Sequence, residues 1–205
     1  MKNHFVHDDA ITKLNQDAKM RKIIKLVGPC TIRTIPDPFE AIVDGIITQQ
    51  ISDGAGKAIS ARFRGLFGGK FPKPSQVVKF TNLKLKTAGL SKMKTEYILD
   101  ISQRIVDGRL DFKKFKKMTD EDVISELVQI RGIGRWTAEM YLIFGLGRLD
   151  VLPMGDLGLV NGIKKLYSLE EPSKDKIIKI TNKWSPYRTI GTWYIWRGVK
   201  NFQYV

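Results

Sequence analysis

The chain has 205 residues, 42% of them hydrophobic, which suffices for one domain or for two small lobes that share a core. No run of about 18 apolar residues occurs and the polar N-terminus lacks a signal-peptide pattern, so the sequence predicts a protein that neither spans a membrane nor is secreted. A formal net charge of +14 favours a polyanionic partner, nucleic acid first, although a basic enzyme with a solvated surface is the alternative.

Few residues are available for metal or thiol chemistry. The one cysteine, Cys30, excludes an intramolecular disulfide and a four-cysteine iron–sulfur cluster. His4 and His7 lack the cysteine and glutamate neighbours of a metal site, and we expect both to be solvated. Nothing in the sequence indicates a required organic cofactor or a catalytic metal.

Apolar residues recur at helical spacing along nearly the whole chain, and only Cys30–Ile35 is weakly extended. The predicted fold class is therefore all-α. Asp37 and Pro38 indicate a helix start, with Glu40 as the reciprocal partner in a capping box. Further helices are predicted over 55–67, over 91–108, from 119 onward, and from a Ser185-Pro186 start that repeats the N-cap and proline signature.

A short turn with two glycines joins two predicted helices at Gly132-Ile133-Gly134. Glycines allow another backbone to come close, Ile133 is expected to point inward, and the free amides at the next helix start would face an anion such as phosphate. Such a contact reads no base sequence. Taken alone, the pattern also fits an ordinary turn between helices.

An isolated carboxylate follows downstream, where Asp156 lies among apolar residues at the opening of a predicted helix. A carboxylate in that position is an N-cap, a catalytic group, or both. Asp150 is the rival carboxylate, and we interpret it as a turn or surface residue. Arg188 fits either a phosphate contact or a helix cap.

Two motifs together resemble those of the helix-hairpin-helix DNA glycosylase superfamily, and within it the 3-methyladenine DNA glycosylase II branch of alkylpurine glycosylases. They are Leu127-x-x-Ile-Arg-Gly-Ile-Gly-Arg-Trp-Thr-Ala and Pro153-Met-Gly-Asp-Leu-Gly, and the similarity extends over about residues 36–198. The resemblance implies one catalytic core over 1–205 built from two helical lobes, with the active site in the cleft between them. The expected lobes are 1–52 plus 155–205, and 53–154 with the helix-hairpin-helix at 123–147.

The resemblance also implies roles for individual residues. Asp156 matches the catalytic aspartate. Gln50 matches the wedge that fills the gap left by a flipped base, although bacterial relatives often carry leucine there. The other implied roles are the base pocket (Trp136, Met140, Trp196), the phosphate contacts (Gly132, Gly134, Thr137) and backbone carbonyls for a structural Na⁺ or K⁺ (Val128, Ile130, Ile133). On spacing alone, the two tryptophans would be core residues.

One departure predicts the reaction type. Bifunctional members carry a lysine two residues after the second hairpin glycine, where this chain has Trp136, which cannot act as a nucleophile. We therefore expect a monofunctional base-excision-repair hydrolase without AP lyase activity. It would flip an alkylated purine of the 3-methyladenine type out of duplex DNA and hydrolyse its N-glycosidic bond.

The expected partner is double-stranded DNA containing a damaged base, bound by a monomer in the cytoplasm (at the nucleoid) or in a eukaryotic nucleus. Two alternatives stay open. One is a glycosylase for another lesion: uracil, mismatched thymine, or an oxidised or deaminated purine. The other is a non-catalytic helix-hairpin-helix DNA-binding module. Asp156 argues against such a module, because a carboxylate beside DNA repels phosphate unless it has a task.

Overall fold

The computed structural model describes the backbone of residues 4–198 and the side chains of residues 8–52 and 54–198. The side chains of His4 and His7 lie outside the described residues. Over 4–198 the regular structure is helical and includes no strand, which confirms the all-α prediction. None of the helices described is long and apolar enough to cross a membrane.

Twelve α-helices follow one another within the described range. They are α1 (His4–Leu14), α2 (Ala18–Val27), α3 (Pro38–Thr48), α4 (Asp53–Gly65), α5 (Pro74–Val77), α6 (Asn82–Lys86), α7 (Lys92–Val106), α8 (Asp120–Val128), α9 (Arg135–Met140), α10 (Leu157–Tyr167), α11 (Lys174–Thr181) and α12 (Arg188–Gly198). Short 3₁₀-helices occupy Phe112–Lys117 and Asn182–Trp184, and a π-helical turn, Tyr141–Gly145, continues α9.

The chain divides into two compact units, residues 1–33 with 147–205, and residues 34–146. The sequence-based lobes had residues 34–52 with the C-terminal part and residues 147–154 with the hairpin. The structure groups both stretches the other way.

In the unit formed by 1–33 and 147–205, α12 packs against α2 and α10 around the fully buried Trp184. Gly191 permits this packing, because a Cβ atom there would come within 2.5 Å of the indole ring of Trp184. Asp17 caps α2, accepting hydrogen bonds from the amides of Lys19 and Met20, and its other oxygen accepts from the Tyr167 hydroxyl at 2.7 Å. The unit therefore has a core of its own.

In the unit formed by 34–146, α3 lies centrally and packs against α4, α7 and α9. Asp37 caps α3 as predicted, accepting from the amides of Phe39 and Glu40 at 2.8 and 3.0 Å. The capping-box prediction for Glu40 is wrong, because its side chain instead accepts a hydrogen bond from Arg64 at 2.6 Å. An ion pair across two helices has replaced the local contact.

The predicted helix start at Ser185-Pro186 is also wrong. The peptide bond between these residues is cis, and α12 begins only at Arg188. The hydroxyl of Ser185 donates to Asp150 at 2.9 Å rather than capping a helix. The same dipeptide signature thus serves a turn here and a helix start at Asp37.

Candidate functional site

The first hairpin glycine is required by the fold of the 34–146 unit. Gly132 has a φ of 87°, a left-handed backbone that favours glycine. A Cβ atom at this position would lie 2.1 Å from Cδ2 of Tyr97 on α7. Ile133 is buried, as expected, and its amide donates to the carbonyl of Ile130 at 3.0 Å. The hairpin is therefore packed directly onto α7.

The second hairpin glycine is not required by the protein's own packing. Gly134 is exposed, has an ordinary φ of −88°, and would place a Cβ atom in open space. It is the N-cap residue of α9, and no side chain caps the amides of that first turn. A helix start of this kind, with its macrodipole, favours an approaching anion. Gly134 leaves the way to these amides open.

The predicted phosphate contact at Thr137 stays a prediction, and the side chain of this residue faces the interior of the unit. Its side chain is buried, with 2% of the residue exposed, and its Oγ1 accepts a hydrogen bond from Gln49 Nε2 at 2.8 Å. The same amide nitrogen of Gln49 donates to the carbonyl of Gly132 at 2.9 Å. The hydroxyl of Thr137 therefore braces the hairpin from inside and faces away from solvent.

The predicted wedge residue lies in a short loop between α3 and α4. Gln50 is exposed and has a φ of 54°, an uncommon backbone for a residue other than glycine. The ammonium of Lys94 donates to the carbonyls of Ile47 and Gln49 at 2.8 and 2.9 Å, and its burial lowers the pKa of Lys94. These two hydrogen bonds therefore attach the loop to α7, while Gln50 itself stays exposed.

Two arginines next to the hairpin, Arg135 and Arg131, differ in their ion pairs and in their exposure. Arg135 binds Glu121 and lies 3.1 Å from Glu139, and these contacts, the Glu121 hydrogen bond foremost, raise the pKa of Arg135. Arg131 is more open: its side chain is 73% exposed, with Glu96 at 3.7 Å. Of the two, Arg131 is better placed to meet a phosphate.

The carbonyls expected to bind a monovalent cation lie at the C-terminal end of α8 and in the following turn. Val128 is the last residue of α8, and the carbonyl of Ile130 accepts the Ile133 amide, which leaves that oxygen a second lone pair. Backbone carbonyls are the ligands that replace water around K⁺, and a helix C-terminus carries partial negative charge. The donor chemistry fits Na⁺ or K⁺, and the site stays a prediction.

Asp156 is fixed at the start of α10 in the other unit. Its Oδ1 accepts hydrogen bonds from the amide of Leu159 at 2.6 Å and from the indole N–H of Trp196 at 2.9 Å. Gly158 leaves space for this pair, since a Cβ atom there would lie 3.1 Å from the same oxygen. Leu157 beside it is 76% exposed. The carboxylate is therefore oriented by two donors at an accessible helix end.

Asp150 and Arg188 have a different task. The guanidinium of Arg188 makes two hydrogen bonds with the Asp150 carboxylate, at 2.8 and 2.9 Å, and the Arg188 amide adds a third. Burial acts to raise the pKa of Asp150, but the hydrogen bonds from Arg188 and Ser185 outweigh it, so the pKa lies below its usual range. This pair joins the segment before Asp156 to α12, and Arg188 is committed to it.

The three predicted base-pocket residues differ in their surroundings. Trp196 is half-buried and bonded to Asp156, so these two predicted residues are brought together. Trp136, on α9, is half-buried, whereas Met140 at the end of α9 is 7% exposed. Their assignment to a base pocket stays a prediction.

The motifs and their geometry agree with comparisons against known proteins. A model of HhH-GPD superfamily base excision DNA repair proteins matches residues 43–186. The chain belongs to this superfamily. It is 35% identical over 187 residues to the alkylbase DNA glycosidase-like protein mag2 of Schizosaccharomyces pombe, with 88% of each chain covered.

Solved structures give the same result. The DNA-3-methyladenine glycosidase of Bacillus halodurans is 39% identical with a TM-score of 0.78, over 94% of this chain and 89% of that one. The S. pombe 3-methyladenine DNA glycosylase in complex with abasic DNA is 32% identical with a TM-score of 0.85, over 94% of this chain and 97% of that one. The helix-hairpin-helix fold expected from the sequence is confirmed.

Sequence reasoning missed the residues that hold these loops in place. Gln49 stands next to the predicted wedge, yet only its neighbour was singled out. Tyr97 and Lys94 lie within the helix predicted over 91–108, where nothing in the local pattern distinguished them from their neighbours. The contacts of all three join segments far apart in the sequence, which local patterns do not reveal.

Proposed function

We propose that this protein is a monofunctional DNA glycosylase that removes alkylated purines of the 3-methyladenine type from duplex DNA. The observation that carries the proposal is Asp156, held by Leu159 and Trp196 at an accessible helix end in a chain of the base excision repair superfamily. The relatives with 3-methyladenine glycosylase or glycosidase names support this choice of substrate.

The N-glycosidic bond of a stacked base is out of reach of a side chain, so the base must first leave the duplex. Extrusion costs a few kcal/mol of lost stacking and pairing, and a damaged base lowers that cost. We assign the filling of the vacated space to Gln50, which is exposed on its loop. The amides at the start of α9, open beside Gly134, would hold the strand through phosphate.

One carboxylate suffices for the bond cleavage. An alkylated purine is cationic or electron-poor, so it leaves without the strong general acid that an ordinary glycoside requires. Asp156 would stabilise the positive charge that develops on the sugar and would orient, or take a proton from, the attacking water. The two hydrogen bonds on Oδ1 keep the carboxylate in one orientation during this step.

The absence of a lyase step follows from Trp136. An amine at this position of the hairpin would attack C1′ and form a Schiff base, whereas an indole has no such lone pair to offer. Water then serves as the nucleophile, and the product is an intact abasic strand together with the free base. A mixed lesion range that includes deaminated purines is the second candidate. The same N-glycosidic bond would be hydrolysed, but a deaminated purine is uncharged and leaves less readily than an alkylated one.

A panel of duplexes with single lesions tests the proposal. Each duplex would carry 3-methyladenine or a stable analogue, 7-methylguanine, 1,N6-ethenoadenine, hypoxanthine, uracil or 8-oxoguanine, and each sample would be divided for treatment with or without hot alkali. We expect strand breaks at alkylated purines after alkali only. Breaks without alkali would refute the monofunctional assignment, and lesion binding without release of any base would favour a binding module.

A further inference from the structure

The two loops assigned to DNA rest on one turn of the same helix. The wedge loop is the segment 49–52 between α3 and α4, which carries Gln50. Lys94, in the first turn of α7, donates to the carbonyls of Ile47 and Gln49 at the start of this loop. Tyr97, three residues later, lies directly against Gly132 of the hairpin. Residues three apart share a face of a helix. One face of α7 therefore contacts both loops.

Gln49 joins these loops to each other. Its main-chain carbonyl accepts from Lys94 at 2.9 Å, and its side-chain nitrogen donates to the carbonyl of Gly132 at 2.9 Å. A continuous chain of hydrogen bonds thus runs from Lys94 through Gln49 into the hairpin. Gln50 follows immediately with its left-handed backbone, so its location is set by whatever holds Gln49.

The ammonium is a costly group for this task. Withdrawing a charge from water is unfavourable, and burial indeed lowers the pKa of Lys94. Water is sufficient to satisfy the free carbonyls at the end of a helix, so no side chain is needed for that purpose. A cation that reaches from α7 to the end of α3 does something that water cannot: it links the loop before Gln50 to another helix.

We propose that Lys94 is a positioning residue for the wedge. Through Gln49 it keeps Gln50 at a fixed distance from the hairpin, so that the wedge enters the helix where the hairpin holds the strand. This inference rests on the proposed function, because it gives Gln50 the wedge role. Lys94 then contributes to the step in which a paired base leaves the stack, and contributes nothing once the base is out.

Because Lys94 acts only while the base leaves the stack, the effect of its loss on the rate of base release should depend on whether the lesion is paired. A lesion opposite a normal base must be unpaired and its place filled, whereas a lesion opposite an abasic-site analogue has no partner to leave. Loss of the Lys94 ammonium should slow base release from the first substrate and spare the second. A general loss of stability or of DNA affinity would slow both alike.

The test uses the full-length protein and 7-methylguanine, placed opposite cytosine or opposite a tetrahydrofuran abasic-site analogue, under single-turnover conditions. We expect Lys94→Met to lower the rate about 10- to 100-fold opposite cytosine and less than about threefold opposite the analogue, because each tenfold corresponds to about 1.4 kcal/mol of the few kcal/mol that base extrusion costs. The matched control is Lys92→Met, which removes one charge from an exposed residue of the same helix turn and should affect both substrates equally. Equal losses on the two substrates by Lys94→Met would overturn the proposal.

Two further measurements keep the outcomes separate. A 2-aminopurine beside the lesion becomes fluorescent when the stack opens, with no bond cleavage needed. If the wild type releases no base, the proposed function fails. The inference is then tested by fluorescence alone: a rise with wild type that Lys94→Met abolishes supports it, and an equal rise contradicts it. Should Lys94→Met not fold, as judged by circular dichroism, Gln49→Met breaks the same chain at its other end and must show the same selective loss.

Discussion

The two hairpin glycines should respond in opposite ways to a single added methyl group. At Gly132, alanine meets both a left-handed backbone, which costs about 1–2 kcal/mol, and the ring of Tyr97, whose displacement costs about 1–3 kcal/mol more. The sum of about 2–5 kcal/mol corresponds to a Tm roughly 5–20 °C lower for a chain of this size. At Gly134 the backbone is ordinary and the space is open, so the loss should stay below about 1 kcal/mol.

DNA binding should show the reverse for Gly134. A methyl group there stands where a phosphate would approach the α9 amides, and the loss of one charge-assisted hydrogen bond weakens Kd about 10- to 100-fold. The assays are thermal melting and fluorescence anisotropy with an undamaged duplex at fixed salt. Gly65→Ala, at an equally open and exposed glycine, is the control and should leave Kd unchanged. Unchanged affinity in Gly134→Ala would refute the close approach of phosphate to this hairpin.

Three further substitutions are predicted to have specific effects, two in the unit that carries Asp156 and one at Gln50 in the other unit. Trp196→Phe removes the indole donor to Asp156 and should lower the single-turnover rate about 10-fold or more while base binding changes less; equal effects on both would count against an orienting role. Asp150→Asn should lower stability by about 1–3 kcal/mol at neutral pH, because it weakens the pair with Arg188. The pKa of Asp150 is depressed in the fold, so the stability that this carboxylate contributes is present above its unfolded pKa near 3.8 and is lost as the pH falls through the folded pKa. The Tm values of the wild type and Asp150→Asn should therefore converge in acid. A difference in Tm that stays constant with pH would contradict the role of the pair. Gln50→Ala should slow base release from a paired duplex more than it weakens binding, as a rate-against-affinity comparison would show.

The parts of the fold that depend on local backbone chemistry could be predicted from the sequence. The N-cap at Asp37 and the N-cap at Asp156 each follow from what a few neighbouring residues allow. The placement of Gln50 on an exposed loop between two helices followed from the resemblance and agrees with the structure. These features depend on short stretches of chain, which is why patterns capture them.

The features that could not be predicted depend on partners distant in sequence. The orientation of the Thr137 side chain depends on Gln49, whose side-chain amide donates to the hydroxyl from 88 positions away. Ser185 and Pro186 repeat the signature of a helix start, but the carboxylate of Asp150 takes the serine hydroxyl instead. In both cases a tertiary hydrogen bond overrides a local preference. A local pattern in one sequence does not show which distant residue provides the hydrogen-bond partner.

The central claim is that the carboxylate of Asp156 performs the chemistry, and Asp156→Asn tests it most directly. Asparagine caps a helix as well as aspartate does, so α10 and the Tm should be preserved while the charge is removed. On a 7-methylguanine duplex under single-turnover conditions, we expect the rate of base release to fall at least about 100-fold with DNA affinity unchanged or improved. A folded Asp156→Asn protein that releases the base at the wild-type rate would contradict the account.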